Sequence, residues 1–256
     1  MSTGASAKLL STSVRWVIVP AAGAGRRMGS AVPKQYLPLA GRCVMSTTLS
    51  RLSHAWPAAE LLLCLSDQDA YFSSEKVPAE AKWQRISGGA ERADSVWAGL
   101  KALEGRAQTQ DWVAVHDVAR PCVSTTELVM LATALQDDPV GGLLAVPASD
   151  TMKRAVAGEQ PPCVAHTESR VDLWHALTPQ LFRYDVLVRA MRHAYQTAEA
   201  KGCSIADTIT DEASAVEVLG LMPRLIAGRR DNLKITHPED LALAEHIIAA
   251  QCETQV

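Results

Sequence analysis

The sequence predicts an α/β fold in which helices flank both faces of a mostly parallel sheet. Two features carry this prediction: short apolar, β-branched runs alternate with amphipathic stretches, and a glycine-rich turn follows the first run. Strands are predicted at residues 15–20, 60–66, 83–87, 112–116 and 142–147, and helices at 44–54, 90–103 and 125–136. Because ligands of such folds bind beyond the carboxyl ends of the strands, the turns after residues 20 and 116 are candidate site segments.

The second half of the chain departs from this regular alternation. Residues 149–170 are rich in charged residues, proline and threonine and lack helical periodicity, so they are predicted to leave the sheet as an extended arm. An apolar run at 173–177, helices near 184–201 and 211–219, a strand near 224–226 and a final helix at 238–250 follow. No linker divides this pattern, so residues 14–252 are predicted to form one domain after a flexible leader at 1–13.

Composition excludes several classes of function. The chain has 256 residues, a net charge of −3 and a pI of about 6.2, which argues against a nucleic-acid partner because no global basic field exists. The six cysteines are scattered without a Cys-x-x-Cys pair, which disfavours a structural zinc site and suits a reducing cytoplasm. We expect neither a secretory signal nor a membrane span, because no apolar run is long enough.

The turn after the first strand has the composition of a polyphosphate site. Residues 17–29 run from an apolar strand through Pro20 into small residues and glycines, where the backbone can approach a ligand closely. Backbone N–H groups at 21–25 are predicted to hold phosphate oxygens, and Arg27 and Lys34 to neutralise their charge. The alternative is a sheet-edge turn with solvated cations. Pro20 and the adjacent arginines argue against a dinucleotide fingerprint, and no P-loop motif is present.

A second glycine pair, at residues 88 and 89, precedes the helix predicted after the third strand. Its amides and the hydroxyl of Ser95 are predicted to contact a base or ribose. Arg92 lies in the first turn of that helix, where the dipole disfavours a cation, which indicates a nearby phosphate or a carboxylate partner such as Glu91. A plain junction between loop and helix is the alternative.

Two further segments carry charged residues toward the same sheet edge. Asp117 follows an apolar strand and is predicted to bind Mg²⁺ against a triphosphate, the alternative being a turn or cap residue. Its neighbour His116 is interpreted as a hydrogen-bonded histidine at a strand end. Lys234 is placed where its ammonium reaches a phosphate, with a solvated lysine as the alternative.

The order and spacing of these motifs resemble those of the 2-C-methyl-D-erythritol 4-phosphate cytidylyltransferase family, with a nucleotide-diphospho-sugar transferase fold of the Rossmann-like kind. The resemblance extends from about residue 16 to 248. Its motifs are Pro20-Ala21-Ala22-Gly23-x-Gly25-x-Arg27-Met28-Gly29, Pro33-Lys34-Gln35, Gly88-Gly89-x-Glu91-Arg92-x-Asp94-Ser95, His116-Asp117-x-Ala119-Arg120-Pro121, Asp150-Thr151-Met152-Lys153-Arg154, Trp174-x-Ala176-Leu177-Thr178-Pro179-Gln180, Thr210-Asp211-Glu212-Ala213-Ser214 and Asp231-Asn232-x-Lys234.

The resemblance implies a reaction in which the phosphate of methylerythritol 4-phosphate attacks the α-phosphorus of CTP and releases pyrophosphate, in the non-mevalonate route to isoprenoids. It implies that Arg27 and Lys34 stabilise the transition state and that Asp117 binds Mg²⁺ or another divalent cation. The residues implied to line the CTP site are Pro20, Ala21, Ala22, Gly23, Gly89, Ala90, Ser95, Val118 and Lys234. The residues implied to surround the methylerythritol phosphate are Asp117, Arg120, Thr151, Arg170, Thr178, Thr210 and Asp231. The arm at 149–171 is implied to form a homodimer and to reach the partner's site.

Two departures from the family pattern are Ala90, where an acidic residue is common, and Val118, where alanine is common; both positions are expected to act through the backbone. A cyclodiphosphate synthase domain is not expected. A cytidylyltransferase acting on ribitol 5-phosphate shares the first motifs and would differ in the arm and in the segment 210–214. A Rossmann dehydrogenase is disfavoured, because no acidic residue lies about 20 positions beyond the glycines. A regulatory nucleotide-binding protein would not need Arg27, Lys34 and Asp117 together.

Overall fold

The computed structural model describes residues 14–23 and 28–253. The predicted leader at 1–13 and the predicted catalytic Arg27 lie outside the described residues. In chain order the strands and helices are β1 Val14–Pro20, β2 Pro38–Leu39, β3 Arg42–Cys43, α1 Val44–Ala55, β4 Glu60–Leu65, β5 Lys82–Ser87, α2 Arg92–Ala102, β6 Trp112–Val115, α3 Thr125–Leu135, β7 Gly141–Pro147, β8 Met152–Ala155, β9 Val164–Glu168, β10 Trp174–Arg183, α4 Tyr184–Lys201, α5 Glu212–Val218, β11 Arg224–Ala227 and α6 Glu239–Glu253.

A seven-stranded sheet forms the centre of the fold, with the strand order β11-β7-β10-β6-β1-β4-β5. All neighbouring strands in it are parallel except β10, which is antiparallel to both β6 and β7. Val17, Ile18 and Val19 in β1 have no exposed surface, as expected for a central strand covered on both faces. The prediction of a mostly parallel, helix-flanked sheet is confirmed.

Two apolar layers cover the sheet. On one face, α1 and α3 pack against β1 and β4 around Leu49, Leu61 and Leu128. On the other face, α2, α4 and α5 pack around Leu62, Phe182 and further buried side chains. Successive residues of β4 therefore point into opposite layers, which is the period-two alternation of a strand. This sandwiching fixes the carboxyl ends of β1, β4 and β6 at one edge of the sheet.

Apart from the apolar run at 173–177, the predicted elements agree with the structure to within three residues at their ends. The helix predicted at 184–201 is α4, which runs from Tyr184 to Lys201. The helix predicted from residue 90 begins at Arg92 instead, because its N-cap Glu91 is still extended, with φ −112° and ψ 165°. The apolar run at 173–177 is the beginning of β10, which continues to Arg183. The short antiparallel pair β2–β3 was not predicted.

The predicted arm is an antiparallel hairpin of β8 and β9. Residues 150–167 are exposed throughout, so the hairpin projects from the body of the domain. Within the hairpin, the guanidinium of Arg154 binds the carboxylate of Glu168 at 2.9 Å. At its base, Arg230 Nη1 donates to Ser149 Oγ at 2.6 Å and Arg170 donates to the carbonyl of Ser149. Of the helices that the structure describes, none is both long and apolar enough to cross a membrane.

Candidate active site

The candidate site is a cleft of about 380 Å³ at the carboxyl ends of β1 and β6. Its walls come from five separate segments of the sequence. They bring together Pro20, Ala21, Ala22, Gly23, Lys34, Gln35, Gly89, Ala90, Glu91, Arg92, Ser95, Asp117, Val118, Ala119, Lys234 and Thr236. All nine residues expected to line a CTP site are in this set, together with Lys34 and Asp117. A wider groove of about 650 Å³ lies between α3 and α6, but it does not include the glycine turns at residues 23 and 88–89.

The turn after β1 is held in place by its neighbours. The N–H of Ala21 donates to the carbonyl of Cys64 at 2.8 Å, which extends the pairing of β1 with β4 by one residue. The buried amide of Gln35 donates to the carbonyl of Ala21 at 3.0 Å. These bonds fix the backbone at Ala22 and Gly23, so the beginning of the turn is set by the sheet and by the motif that contains Lys34.

The glycine pair before α2 packs directly on the first turn. A Cβ at Gly88 would lie 2.6 Å from the Cβ of Ala22, and one at Gly89 would lie 2.1 Å from the Cβ of Asp94. Both distances are shorter than real Cβ contacts, so glycine is required at residue 88 for the close approach of the two loops and at residue 89 for the approach of its loop to the first turn of α2. The N–H of Gly89 donates to the Ser95 hydroxyl at 3.1 Å, and this hydroxyl donates to the carbonyl of Glu91 at 3.3 Å. Ser95 therefore holds the conformation of the loop at Gly89, and it also lines the cleft.

Asp117 is the anionic centre of the cleft. Its carboxylate accepts from Arg92 Nε at 2.7 Å on one oxygen and from Lys234 Nζ at 2.7 Å on the other. Burial of the side chain disfavours its charge, but Arg92, Lys234 and then Arg120 outweigh burial and hold the pKa of Asp117 well below its usual range. Asp117 is therefore a carboxylate at every physiological pH, and Lys234 is ion-paired rather than only solvated.

Arg92 has a different partner from the one that the sequence indicated. Its two terminal nitrogens bind both oxygens of Glu212 at 2.6 and 2.9 Å, while Nε binds Asp117. Glu91, the expected partner, accepts instead from the Ser204 hydroxyl at 2.8 Å. Although burial disfavours the charge of Arg92, Glu212 and Asp117 raise the pKa of Arg92 above its ordinary value. Glu212 was missed as a site residue; its place in the 210–214 motif was the only signal.

Lys34 also lines the cleft, close to the segment that contains Lys234. It begins a short 3₁₀ helix, Lys34–Tyr36, and its ammonium donates to the carbonyl of Ile235 at 2.8 Å. The N–H of Ile235 in turn donates to the carbonyl of Ala119 at 2.8 Å. The segment that contains Lys234 is therefore held between Lys34 and the turn after β6. Lys34 and Lys234 both line the cleft.

The residues expected around the second substrate are more dispersed. Thr151 and Arg170 are exposed on the arm. Thr210 lines a small recess of about 60 Å³ beside Arg92 and Glu212. Asp231 pairs with the guanidinium of Arg229 and lines the wider groove between α3 and α6.

Two more of these expected substrate residues are largely buried. Thr178 is only 5% exposed. Arg120 donates from Nη1 to the carbonyl of Asn232 at 2.7 Å. Within the described residues, only Asp117 of the second-substrate set lines the main cleft.

The side chains of the cleft are compatible with Mg²⁺ that a nucleotide brings with it. The described residues contain no group of three or more His, Cys, Asp or Glu side chains that could hold a metal ion. Mg²⁺ is commonly bound by one or two carboxylates plus substrate phosphates and water. Asp117 supplies one ionised carboxylate at the cleft wall, which meets that requirement.

Comparison with known proteins gives one consistent result. The family model described as 2-C-methyl-D-erythritol 4-phosphate cytidylyltransferase matches residues 15–250. The proteins of that name from Chromohalobacter salexigens and Vibrio atlanticus are 56% and 44% identical to this chain, over 91% and 95% of it and 89% and 100% of their own lengths. The solved structure of the Francisella tularensis 2-C-methyl-D-erythritol 4-phosphate cytidylyltransferase superposes with a TM-score of 0.74 at 31% identity, covering 92% of this chain and 100% of that one.

Proposed function

The chain belongs to the 2-C-methyl-D-erythritol 4-phosphate cytidylyltransferase family, and from this premise we propose that the cleft at the ends of β1 and β6 is its active site. The protein is a nucleotidyltransferase that converts CTP and 2-C-methyl-D-erythritol 4-phosphate to CDP-methylerythritol and pyrophosphate in the non-mevalonate pathway. The observation that carries the assignment is that all nine residues expected for CTP line one cleft with Lys34 and Asp117. We assign the reaction to a single domain at residues 14–252.

In the proposed mechanism, a phosphate oxygen of the methylerythritol phosphate attacks the α-phosphorus of CTP. The new P–O bond forms as the bond to the β-phosphate breaks, and pyrophosphate leaves without a covalent enzyme intermediate. Catalysis of this kind depends on positioning and on charge stabilisation. Lys34 and Arg27 are assigned to the charge that develops on the reacting phosphate and on pyrophosphate. Lys234, held 2.7 Å from Asp117, is assigned to a CTP phosphate.

The nucleotide is proposed to bind against backbone rather than against long side chains. Pro20, Ala21, Ala22 and Gly23 form one wall, and the opposite wall contains Gly89, Ala90, Ser95 and Val118. The contact between Gly88 and Ala22 fixes the separation of the two walls. Selection of cytosine by backbone N–H and carbonyl groups explains why Ala90 and Val118 are tolerated where the family has other side chains.

Mg²⁺ is proposed as the metal of this site, with Asp117 as its protein ligand. The remaining ligands would be nucleotide phosphate oxygens and water, since the other carboxylate that lines the cleft, Glu91, accepts from the Ser204 hydroxyl. Bound there, the ion would neutralise charge on the triphosphate and on the departing pyrophosphate. Arg92 and Lys234 keep the carboxylate ionised and oriented.

The arm is proposed to complete the site in a homodimer. An isolated two-stranded hairpin is marginally stable in water, yet β8 and β9 project from the body with Val164 62% and Val171 76% exposed. Burial of these side chains against a second copy would stabilise the hairpin. It would also bring Thr151 and Arg170 to the partner's cleft. The other proposed surroundings of the methylerythritol phosphate are Arg120, Thr178, Thr210 and Asp231.

A reducing cytoplasm is the proposed compartment. The five cysteines that the structure describes with their side chains are all free thiols. Three of them, Cys64, Cys122 and Cys163, lie in different parts of the fold, two buried and one exposed on the arm. Free thiols of this kind suit a compartment that keeps cysteine reduced.

The test of the proposed site is pyrophosphate release from the purified protein with Mg²⁺, CTP and methylerythritol 4-phosphate. Parallel reactions replace the acceptor with ribitol 5-phosphate or CTP with ATP, GTP or UTP. Lys34→Ala is expected to lower kcat about a hundredfold with the fold intact, since it removes a charge aimed at the transition state. Lys101→Ala, on an exposed lysine of α2, is the matched control. Wild-type turnover by Lys34→Ala would contradict the assigned role.

A further inference from the structure

His116 is enclosed at the end of β6, and its surroundings determine where its proton lies. The ring has no exposed surface. Nε2 is 3.2 Å from the carbonyl oxygen of Arg120, and Nδ1 is 3.1 Å from the hydroxyl oxygen of Thr178. A carbonyl oxygen can only accept, so Nε2 carries the hydrogen. The ring is enclosed and its nitrogens contact a carbonyl oxygen and a hydroxyl, with no carboxylate of the described residues bound to either nitrogen to favour a charged imidazolium, so the ring is neutral and Nδ1 is an acceptor.

This tautomer fixes the direction of the next hydrogen bond. Because Nδ1 accepts, the Thr178 hydroxyl donates its hydrogen to His116. The same hydroxyl oxygen then accepts from the backbone N–H of Asp117 at 3.2 Å. The Thr178 hydroxyl thus has an internal donor and an internal acceptor, and the residue is buried, which leaves it poorly placed to recognise a substrate.

This chain of hydrogen bonds, called the relay below, runs from His116 to both ends of the turn that carries Asp117. The N–H of Arg120 donates to the carbonyl of Asp117 at 3.0 Å, and the carbonyl of Arg120 accepts from His116. Both ends of the turn are therefore tied to one imidazole, directly at Arg120 and through Thr178 at Asp117. Thr178 is itself held by β10 and by the amide of Asn232, which donates to its carbonyl at 2.8 Å. The turn cannot rotate without breaking these bonds.

We propose that His116 and Thr178 are positioning residues that hold the Asp117–Arg120 turn, and hence the Asp117 carboxylate, at the cleft wall through a fixed Nε2–H tautomer. The inference rests on the proposed function of the cleft and deepens it. It gives Thr178 a role different from the substrate contact implied by resemblance. Thr178 thus belongs to the proposed surroundings of the methylerythritol phosphate as a support for Asp117, and His116 acts through Thr178 and the same turn.

Two kinetic comparisons test the relay. Thr178→Val removes the hydroxyl while keeping the shape, and it leaves a buried acceptor on His116 and a buried donor on Asp117. We expect kcat to fall roughly tenfold, whereas Thr178→Ser should retain wild-type turnover. His116→Asn should show a similar loss. Because both changes break one chain of bonds, the double variant should be no slower than the worse single variant within about twofold. Multiplying effects would show independent roles and overturn the proposal.

A spectroscopic measurement on the wild-type chain tests the tautomer independently of activity. Nitrogen NMR of the full chain with labelled histidine separates protonated from unprotonated ring nitrogens, and the His116 signals are those lost in His116→Asn. We expect protonated Nε2 and unprotonated Nδ1, with Nδ1 perturbed in Thr178→Val. Protonated Nδ1 would overturn the relay even if the enzyme turns over as proposed. An inactive wild-type protein with the expected tautomer would count against the proposed function and not against the hydrogen-bond chain.

Discussion

Glu212→Gln should destabilise the protein strongly, although Glu212 was not predicted as a site residue. The side chain is 1% exposed, and both of its oxygens bind Arg92, at 2.6 and 2.9 Å. Removing one partner of a buried ion pair costs about 3–5 kcal/mol. Glutamine keeps the size and can accept one hydrogen bond, so the loss should lie near the lower end, about 3 kcal/mol. For a domain of this length that corresponds to a fall in Tm of roughly 6–12 °C.

Urea unfolding followed by circular dichroism measures this loss as a lower midpoint at an unchanged m value. Protein concentration must be held constant, because a dimer would add its association energy. Glu217→Gln, on the exposed face of the same helix α5, is the matched control. Arg92→Gln/Glu212→Gln should be less destabilised than the sum of its single variants. If Glu212→Gln and Glu217→Gln unfold at the same midpoint, the assignment of a stabilising buried pair is wrong.

Three further outcomes follow from individual contacts. Gly99→Ala should lower stability by about 1–2 kcal/mol in urea unfolding, because its Cβ would lie 2.8 Å from Ile18 and this overlap outweighs the gain in helix propensity; an unchanged midpoint would contradict it. Burial raises the pKa of Cys64 to about 12, so iodoacetamide at about pH 8 should label Cys64 only after unfolding, as followed by mass spectrometry. Burial raises the pKa of Asp138, but two backbone N–H groups and a guanidinium outweigh it and lower that pKa. The stability contributed by Asp138 is therefore present above its unfolded pKa and lost as the pH falls through its lowered folded pKa, and Asp138→Asn should show a flatter acid unfolding curve.

The sequence was sufficient for most of the fold because the strands are apolar runs of a fully covered sheet. It could not give the direction of β10. The apolar run at 173–177 looks the same in either orientation, and direction is decided by how the chain returns to the sheet. Here β7 is followed by the exposed hairpin β8–β9 and then β10, with no crossover helix between them. A strand that returns without such a crossover pairs antiparallel to the one it left.

The candidate site also contains residues that were predictable from the sequence and one contact that was not. Residues facing the cleft, such as Lys34, Gly89 and Asp117, were predictable because a polyphosphate requires cations, bare backbone and a carboxylate at strand ends. The partner of Arg92 was not predictable, because Glu212 lies 120 residues away and no local pattern joins the two. The helix dipole at Arg92 correctly indicated that a carboxylate was needed, but it favoured the adjacent Glu91 only because Glu91 is near in sequence.

The same reasoning explains why a single aspartate can serve a cleft that must bind two phosphorylated substrates. The cations around it, Arg92, Lys234 and Arg120, would bind a polyphosphate, but they also favour the ionised form of Asp117. Glu212 offsets the charge of Arg92 through two hydrogen bonds, and Lys34 and Lys234 are the lysines that line the cleft. His116 is neutral and acts only by fixing the orientation of the turn that carries Asp117. Charged groups thus keep the Asp117 carboxylate ionised, and neutral hydrogen bonds fix its orientation. A variant that changes one of these two sets of contacts should leave the effect of the other measurable.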